Sequence, residues 1–192
     1  MNEQALTRRT NRREVLKLSG MTMFGGMAVG ALTPRDARAA ESNIAYASWI
    51  HGHSMQIEYP ERLASVWRAG FYIGLEGKPG TENWFHFAIP TPVILNDARL
   101  RADSVMLCFN TRSADAFVRD VHVYDGDVLV ADHRNVNLSG NNRFVRFAVP
   151  DRPFVWLGLG ISIGVGFGVE AMDHRMEFVA AGCDFTLREP ER

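Results

Sequence analysis

Apolar and polar residues alternate with period two through most of the chain after residue 40, in short runs broken by Gly, Pro, Asp and Asn. The pattern predicts strands at 45–50, 54–59, 71–75, 84–89, 104–110, 117–124, 128–132, 143–149, 157–168 and 176–187. Turn-forming clusters separate them: Gly77-Lys78-Pro79-Gly80, Pro90-Thr91-Pro92, Asn96-Asp97, Asp125-Gly126, Ser139-Gly140-Asn141-Asn142 and Pro150-Asp151-Arg152-Pro153. Asp125-Gly126, between Tyr124 and Val128, is the strongest hairpin signal. No amphipathic helix is legible in this region; the segment 60–68 has room for one or two helical turns. Short strands of this number, with no repeat or linker, predict a single all-β domain, an antiparallel β-sandwich of jelly-roll type, over residues 40–192.

The first 39 residues follow a different pattern. Asn11-Arg12-Arg13-Glu14-Val15-Leu16-Lys17 places paired arginines before two apolar residues and a lysine, the order of a twin-arginine export signal. Leu18 to Leu32 is an uncharged stretch rich in Gly, Ala and Met, too short for a bilayer-spanning helix. Ala37-Arg38-Ala39 has the small-x-small form of a signal peptidase site, which places cleavage after Ala39. With no cysteine beside that point, the expectation is a chain carried by the twin-arginine translocase to the periplasm or beyond, without a stable membrane anchor. Such a chain folds before it crosses, so a cofactor or metal is able to load beforehand.

Charge narrows the partners. Seven of the 21 Lys and Arg and three of the 22 Asp and Glu lie in the signal, which leaves 14 basic against 19 acidic residues, formally −5. That balance supplies no electrostatic footprint for nucleic acid or an anionic membrane. Cys108 and Cys183 would face an oxidising compartment, where a bridge closing about 75 residues would stabilise by roughly 4 kcal/mol; two buried thiols are the alternative.

Several strings resemble a family of secreted bacterial and fungal domains of unknown function. They are His51-Gly52, Gln56-Ile57-Glu58-Tyr59-Pro60 with Arg62-Leu63, Gly77-Lys78-Pro79-Gly80-Thr81, the run from Asn83 to Pro92, Val121-His122-Val123-Tyr124-Asp125-Gly126, Asn137-Leu138-Ser139-Gly140 and Ala181-Gly182-Cys183-Asp184-Phe185. The resemblance spans nearly all of the chain after the signal and carries over no activity and no site residue.

Candidate chemistry therefore comes from the residues themselves. Gly160-Ile161-Ser162-Ile163-Gly164 matches G-x-S-x-G, but a nucleophile elbow needs a helix next and a distant Asp and His. Here β-branched residues flank Ser162, and the segment reads as a strand instead. One of its faces would hold Leu157, Leu159, Ile161, Ile163, Val165 and Phe167 toward the core, the other only Gly158, Gly160, Ser162, Gly164, Gly166 and Gly168. Bare backbone of this kind implies a bulky neighbour: an aromatic from the next strand or a covering loop, or else a flat ligand or second subunit.

Two other runs carry polar groups. Trp84 and His86 lie opposite Phe85, Phe87 and Ile89, while Asp120, His122 and Tyr124 lie opposite Phe117, Val121 and Val123. Were these strands neighbours, Trp84, His86, Asp120, His122 and Tyr124 would make a sugar-binding surface or a metal site. His51 and His53, two residues apart, offer a second pair of metal ligands, with His86, His122, His133 or His174 as the third. The first expectation is an exported, non-catalytic module for carbohydrate or another cell-envelope ligand. The alternatives are a transition-metal protein or enzyme using His51, His53, His86 and His122, and a self-assembling structural domain.

Overall fold

In the computed structural model, residues 44–141, 143–170 and 173–187 are described. The export-signal assignments at Arg12, Arg13 and Ala39 lie outside them. Alternation becomes structure where one side chain in two is buried: β5 (Glu82–Ala88) buries Asn83, Phe85 and Phe87 while Trp84, His86 and Ala88 face outward. The remaining strands are β1 (Ile44–His51), β2 (Gln56–Ile57), β3 (Leu63–Ala69), β4 (Tyr72–Gly77), β6 (Ile94–Leu95), β7 (Ala98–Arg99), β8 (Arg101–Thr111) and β9 (Ala116–Asp125). They continue with β10 (Val128–His133), β11 (Arg143–Ala148), β12 (Leu159–Phe167) and β13 (Arg175–Thr186).

Two antiparallel sheets face each other. The front sheet runs β10-β9-β12-β5-β2 and the back sheet β11-β8-β13-β4-β3, with β1 paired to the second half of β13. Taken alone, β4, β5 and β8 to β13 lie in the orders β4-β13-β8-β11 and β5-β12-β9-β10. That is the double Greek key of a jelly roll. Phe85 and Phe87 of the front sheet meet Phe178 of the back sheet at ring-centroid distances of 5.2 and 5.7 Å, and all three are fully buried. Each such ring contributes about 2 kcal/mol by leaving water, so this contact fixes which face of each sheet turns inward.

Three expectations need correction, and the choice left open at the two cysteines falls to free thiols. Residues 60–68 are a 3-10 turn (Pro60–Arg62) followed by β3, not helix; β3 lies at the sheet edge and leaves most of its side chains exposed, which blurs its alternation. Phe117 does not share the core face of Val121 and Val123, because a bulge between Val118 and Asp120 adds a residue and reverses the phase, turning Phe117 outward and Val118 inward. Leu157 precedes β12 and is 72% exposed, so it takes no part in the core. Cys108 and Cys183 are free thiols: β8 sets Cys108 opposite Ala180 and Val105 opposite Cys183, and Cys183 points into the core while Cys108 points away from it.

The hairpin at Asp125-Gly126 is present, one residue later than its letters indicate. Asp125 pairs with Val128, leaving Gly126 and Asp127 as the loop. Gly126 sits at φ +60°, where glycine is favoured. Asp125 also braces the segment leading into β12, since its carboxylate accepts the backbone N–H groups of Trp156, Leu157 and Gly158 at 2.7–2.9 Å. Burial pushes its pKa up, but these three donors and the Arg99 charge outweigh that and hold it below the ordinary carboxylate value.

Candidate functional site

The strand order places the two polar runs on the same face, on either side of β12. Ser162 stands directly between His86 of β5 and His122 of β9, with Asp132 of β10 beyond His122 and Gln56 of β2 beyond His86. Gly164 stands between Trp84 and Asp120, and Gly160 between Ala88 and Tyr124. All five front-face residues read from the sequence are therefore brought together across three adjacent strands.

Hydrogen bonds tie the central row. Ser162 Oγ lies 2.9 Å from His86 Nδ1, and His86 Nε2 lies 3.0 Å from Glu58 Oε2. His122 Nε2 lies 3.1 Å from Asp132 Oδ1. A carboxylate only accepts, so in the neutral rings Nε2 carries the proton and Nδ1 presents a lone pair. Ser162 then donates its hydroxyl proton to His86. Glu58 also bonds to Tyr59, whose phenol is pushed above its ordinary value by the hydrogen bond to Glu58 and by that carboxylate's charge.

Aromatic rings cover one end of the face. A Cβ on Gly164 would fall 3.1 Å from the Trp84 indole, and one on Gly166 would fall 2.5 Å from the Phe117 ring. Trp84 also lies against the His122 ring at 4.8 Å between centroids, and His122 against Tyr124 at 6.3 Å. Rings from the neighbouring strands thus fill the run at Gly164 and Gly166, and the Asp115 carboxylate fills it at Gly168. At Gly160 a Cβ would meet none of the described residues within 4 Å. The result is a trough floored by Gly160, walled by Tyr124 on one side, open over Ala88 on the other, and ending at Ser162.

Asp120 plays a different part from the one its position implied. Its carboxylate is buried and accepts from Asn135 N at 2.9 Å and Arg119 Nε at 2.6 Å. Burial pushes its pKa up, but the Asn135 N–H, Arg119 and His122 together hold it below the ordinary value. It anchors the turn after β10, with each oxygen already holding a donor.

The histidines proposed as one metal set are divided between the sheets. His51 and His53 sit at the end of β1, their rings 4.4 Å apart, and His53 Nε2 is held by the carbonyls of Ala69 and Tyr72 at 2.6 and 3.1 Å. His86 and His122 lie on the front face, His174 pairs with Asp115 at 2.6 Å, and His133 packs on Phe147. Among the described residues no three His, Cys, Asp or Glu side chains converge on a point able to hold a metal.

Sequence reasoning gave no site role to Glu58 or Asp132, and it set Ser162 aside because β-branched neighbours make its segment a strand rather than a nucleophile elbow. The pattern G-x-S-x-G was the one signal that pointed there.

Solved structures that the chain is similar to include a xylan-binding module, CBM86, from Roseburia intestinalis, at 12% identity over 73% of this chain and 96% of that one, with a TM-score of 0.44. The family 29 carbohydrate-binding module CBM29_1 from Piromyces equi gives 12% identity, 72% and 90% coverage and a TM-score of 0.38. The Stig cyclase Fisc from Fischerella sp. TAU gives 12%, 80%, 94% and 0.36. No curated protein sequence matches the chain. Among the described residues no helix is long and apolar enough to cross a membrane. Residues 45–187 match the model of a family of unknown function, DUF6623, and the chain belongs to that family.

Proposed function

We propose that this chain is an exported β-sandwich module that binds carbohydrate, as a polysaccharide or a cell-envelope glycan, on the outer face of its front sheet. The carrying observation is the bare backbone at Gly160 beside Tyr124, in line with the row Glu58, His86, Ser162, His122 and Asp132. Sugars present an apolar C–H face and a rim of hydroxyls. A half-buried phenol and indole beside fixed imidazoles and carboxylates match both parts, the first by stacking and the second by hydrogen bonding. Export would be by the twin-arginine translocase to the periplasm or the cell exterior, the compartment in which such ligands occur.

The test is retention of the full chain in native gels containing a panel of soluble polysaccharides, with sedimentation on insoluble ones and on cell walls. At least one glycan is expected to retard the protein. Tyr124→Ala and His86→Ala should each weaken retention by about tenfold or more without altering the far-ultraviolet spectrum. Unaltered mobility on every glycan would refute the reading.

A further inference from the structure

The same face also holds the parts of an acyl-transfer site: we propose that Ser162 is a nucleophile, with His86 as its base and Glu58 as the residue that sets the base's tautomer. The substrate class would be an ester, such as an O-acylated sugar lying in the Gly160 trough. The choice of sugar as carrier rests on the carbohydrate reading; the nucleophile does not.

Three features of the face support this. The chain Ser162 Oγ to His86 Nδ1 to Glu58 Oε2, at 2.9 and 3.0 Å, is continuous. Glu58 accepts from Nε2, so Nδ1 is the basic nitrogen and the Ser162 hydroxyl is already polarised toward it. Finally, Ser162 is half-buried beside open space, since a Cβ on its neighbour on the same face, Gly160, would meet none of the described residues within 4 Å. The arrangement differs from a nucleophile elbow, because Ser162 lies within β12 with ladders to β5 and β9 on both sides. What makes the serine reactive here is its cross-strand partner, not a strained turn.

In the first half-reaction Ser162 Oγ attacks the ester carbonyl carbon, its proton passes to His86 Nδ1, and the tetrahedral adduct collapses to an acyl-serine as the leaving alcohol takes that proton. Water, deprotonated by the same nitrogen, then attacks the acyl-serine; the acid leaves and Ser162 regains its proton. The backbone N–H groups of β12 are committed to strand pairing, so a developing oxyanion must be met by side chains of this face. Each missing oxyanion donor costs about a hundredfold or more in rate, so covalent labelling is a more direct readout than turnover.

The full chain is incubated with p-nitrophenyl acetate, and separately with a fluorophosphonate, then digested and mapped by mass spectrometry. Modification is expected on Ser162, and Ser162→Ala should abolish it while keeping the wild-type circular dichroism and thermal midpoint. His86→Ala should slow labelling by about a hundredfold. Glu58→Gln removes the carboxylate charge that holds the proton on Nε2 and lets the amide donate there instead; it should slow labelling by about tenfold or more, while Glu58→Asp restores part of the rate. No label on Ser162, or labelling indifferent to His86→Ala and Glu58→Gln, would overturn the proposal. Glycan retention by the wild type is scored separately: retention with no label refutes the nucleophile alone, and label without retention refutes the carbohydrate reading alone.

Discussion

The two outer faces of this sandwich use one device and differ at one residue. On the back sheet, Trp67 lies over Gly74 and Trp49 over Gly182, so that a Cβ would fall 2.3 and 2.5 Å from the indoles. On the front sheet, Trp84 and Phe117 do the same at Gly164 and Gly166. The polar groups of the back face are also spent on one another: buried Glu177 accepts from Asn110 at 3.0 Å and pairs with Arg112 at 3.3 Å and Arg175 at 2.6 Å. Among the described residues every glycine within a strand carries a ring except Gly160. A strand interior loses packing and chain entropy at a glycine, and that loss is offset where a ring fills the space. At Gly160 none of the described residues fills it, and this bare position is what sets the front face apart from the back.

Substitutions at the glycines sharpen this contrast. Of the glycines within strands, the largest effect should come at Gly77, where a Cβ would fall 2.2 Å from the buried ring of Phe167, inside the core. Gly77→Ala should cost about 3 kcal/mol, read as a lowered urea midpoint. Next is Asp125→Ala, which strips the acceptor from the N–H groups of Trp156, Leu157 and Gly158 and should cost about 2 kcal/mol. Because the folded pKa of Asp125 lies below its unfolded value, its contribution is complete above about pH 5 and fades as pH falls through the depressed folded value. Urea midpoints measured from neutral to acid pH should therefore fall less steeply in Asp125→Asn than in the wild type.

Smaller again is Gly182→Ala, where the Trp49 indole, 42% exposed, is free to swing outward; about 1 kcal/mol is expected. At the far end of the series, Gly160→Ala should raise the thermal midpoint slightly, by the equivalent of about 0.5 kcal/mol. A loss at Gly160 as large as that at Gly182 would erase the distinction between the faces.

How much of this the sequence disclosed depends on what each feature needs. Strand β5 was legible because every second residue from Asn83 to Phe87 is buried, and period two is a local property. Strand β3 was not, because an edge strand with Leu63 as its one fully buried residue shows no alternation. The phase of Phe117 was misread because a bulge is set by pairing with Gly164 and Val165 on another strand, not by the letters around it. The glycine run did announce that rings would lie over β12. Which glycine would stay bare depended on where Trp84 and Phe117 fell, and that is a matter of register.

The site follows the same rule. Trp84, His86, His122 and Tyr124 were found from their outward phase, and their convergence came from the order β9-β12-β5, which no local pattern encodes. Asp120 shared that phase yet turned its carboxylate to Asn135 and Arg119, because an acid beside backbone donors and an arginine is held more strongly there than in water. Glu58 escaped notice because it reaches His86 from the segment after β2, a contact that exists only once β2 has paired with β5.

Glycan binding by Gly160→Val, measured beside the wild type and Gly182→Val, each with its thermal midpoint, tests the front-face trough most directly. A polysaccharide that binds the wild type and Gly182→Val saturably, but not a fully folded Gly160→Val, is the predicted result. Binding that survives with valine in the trough, or is lost only when the back face is altered, would contradict it.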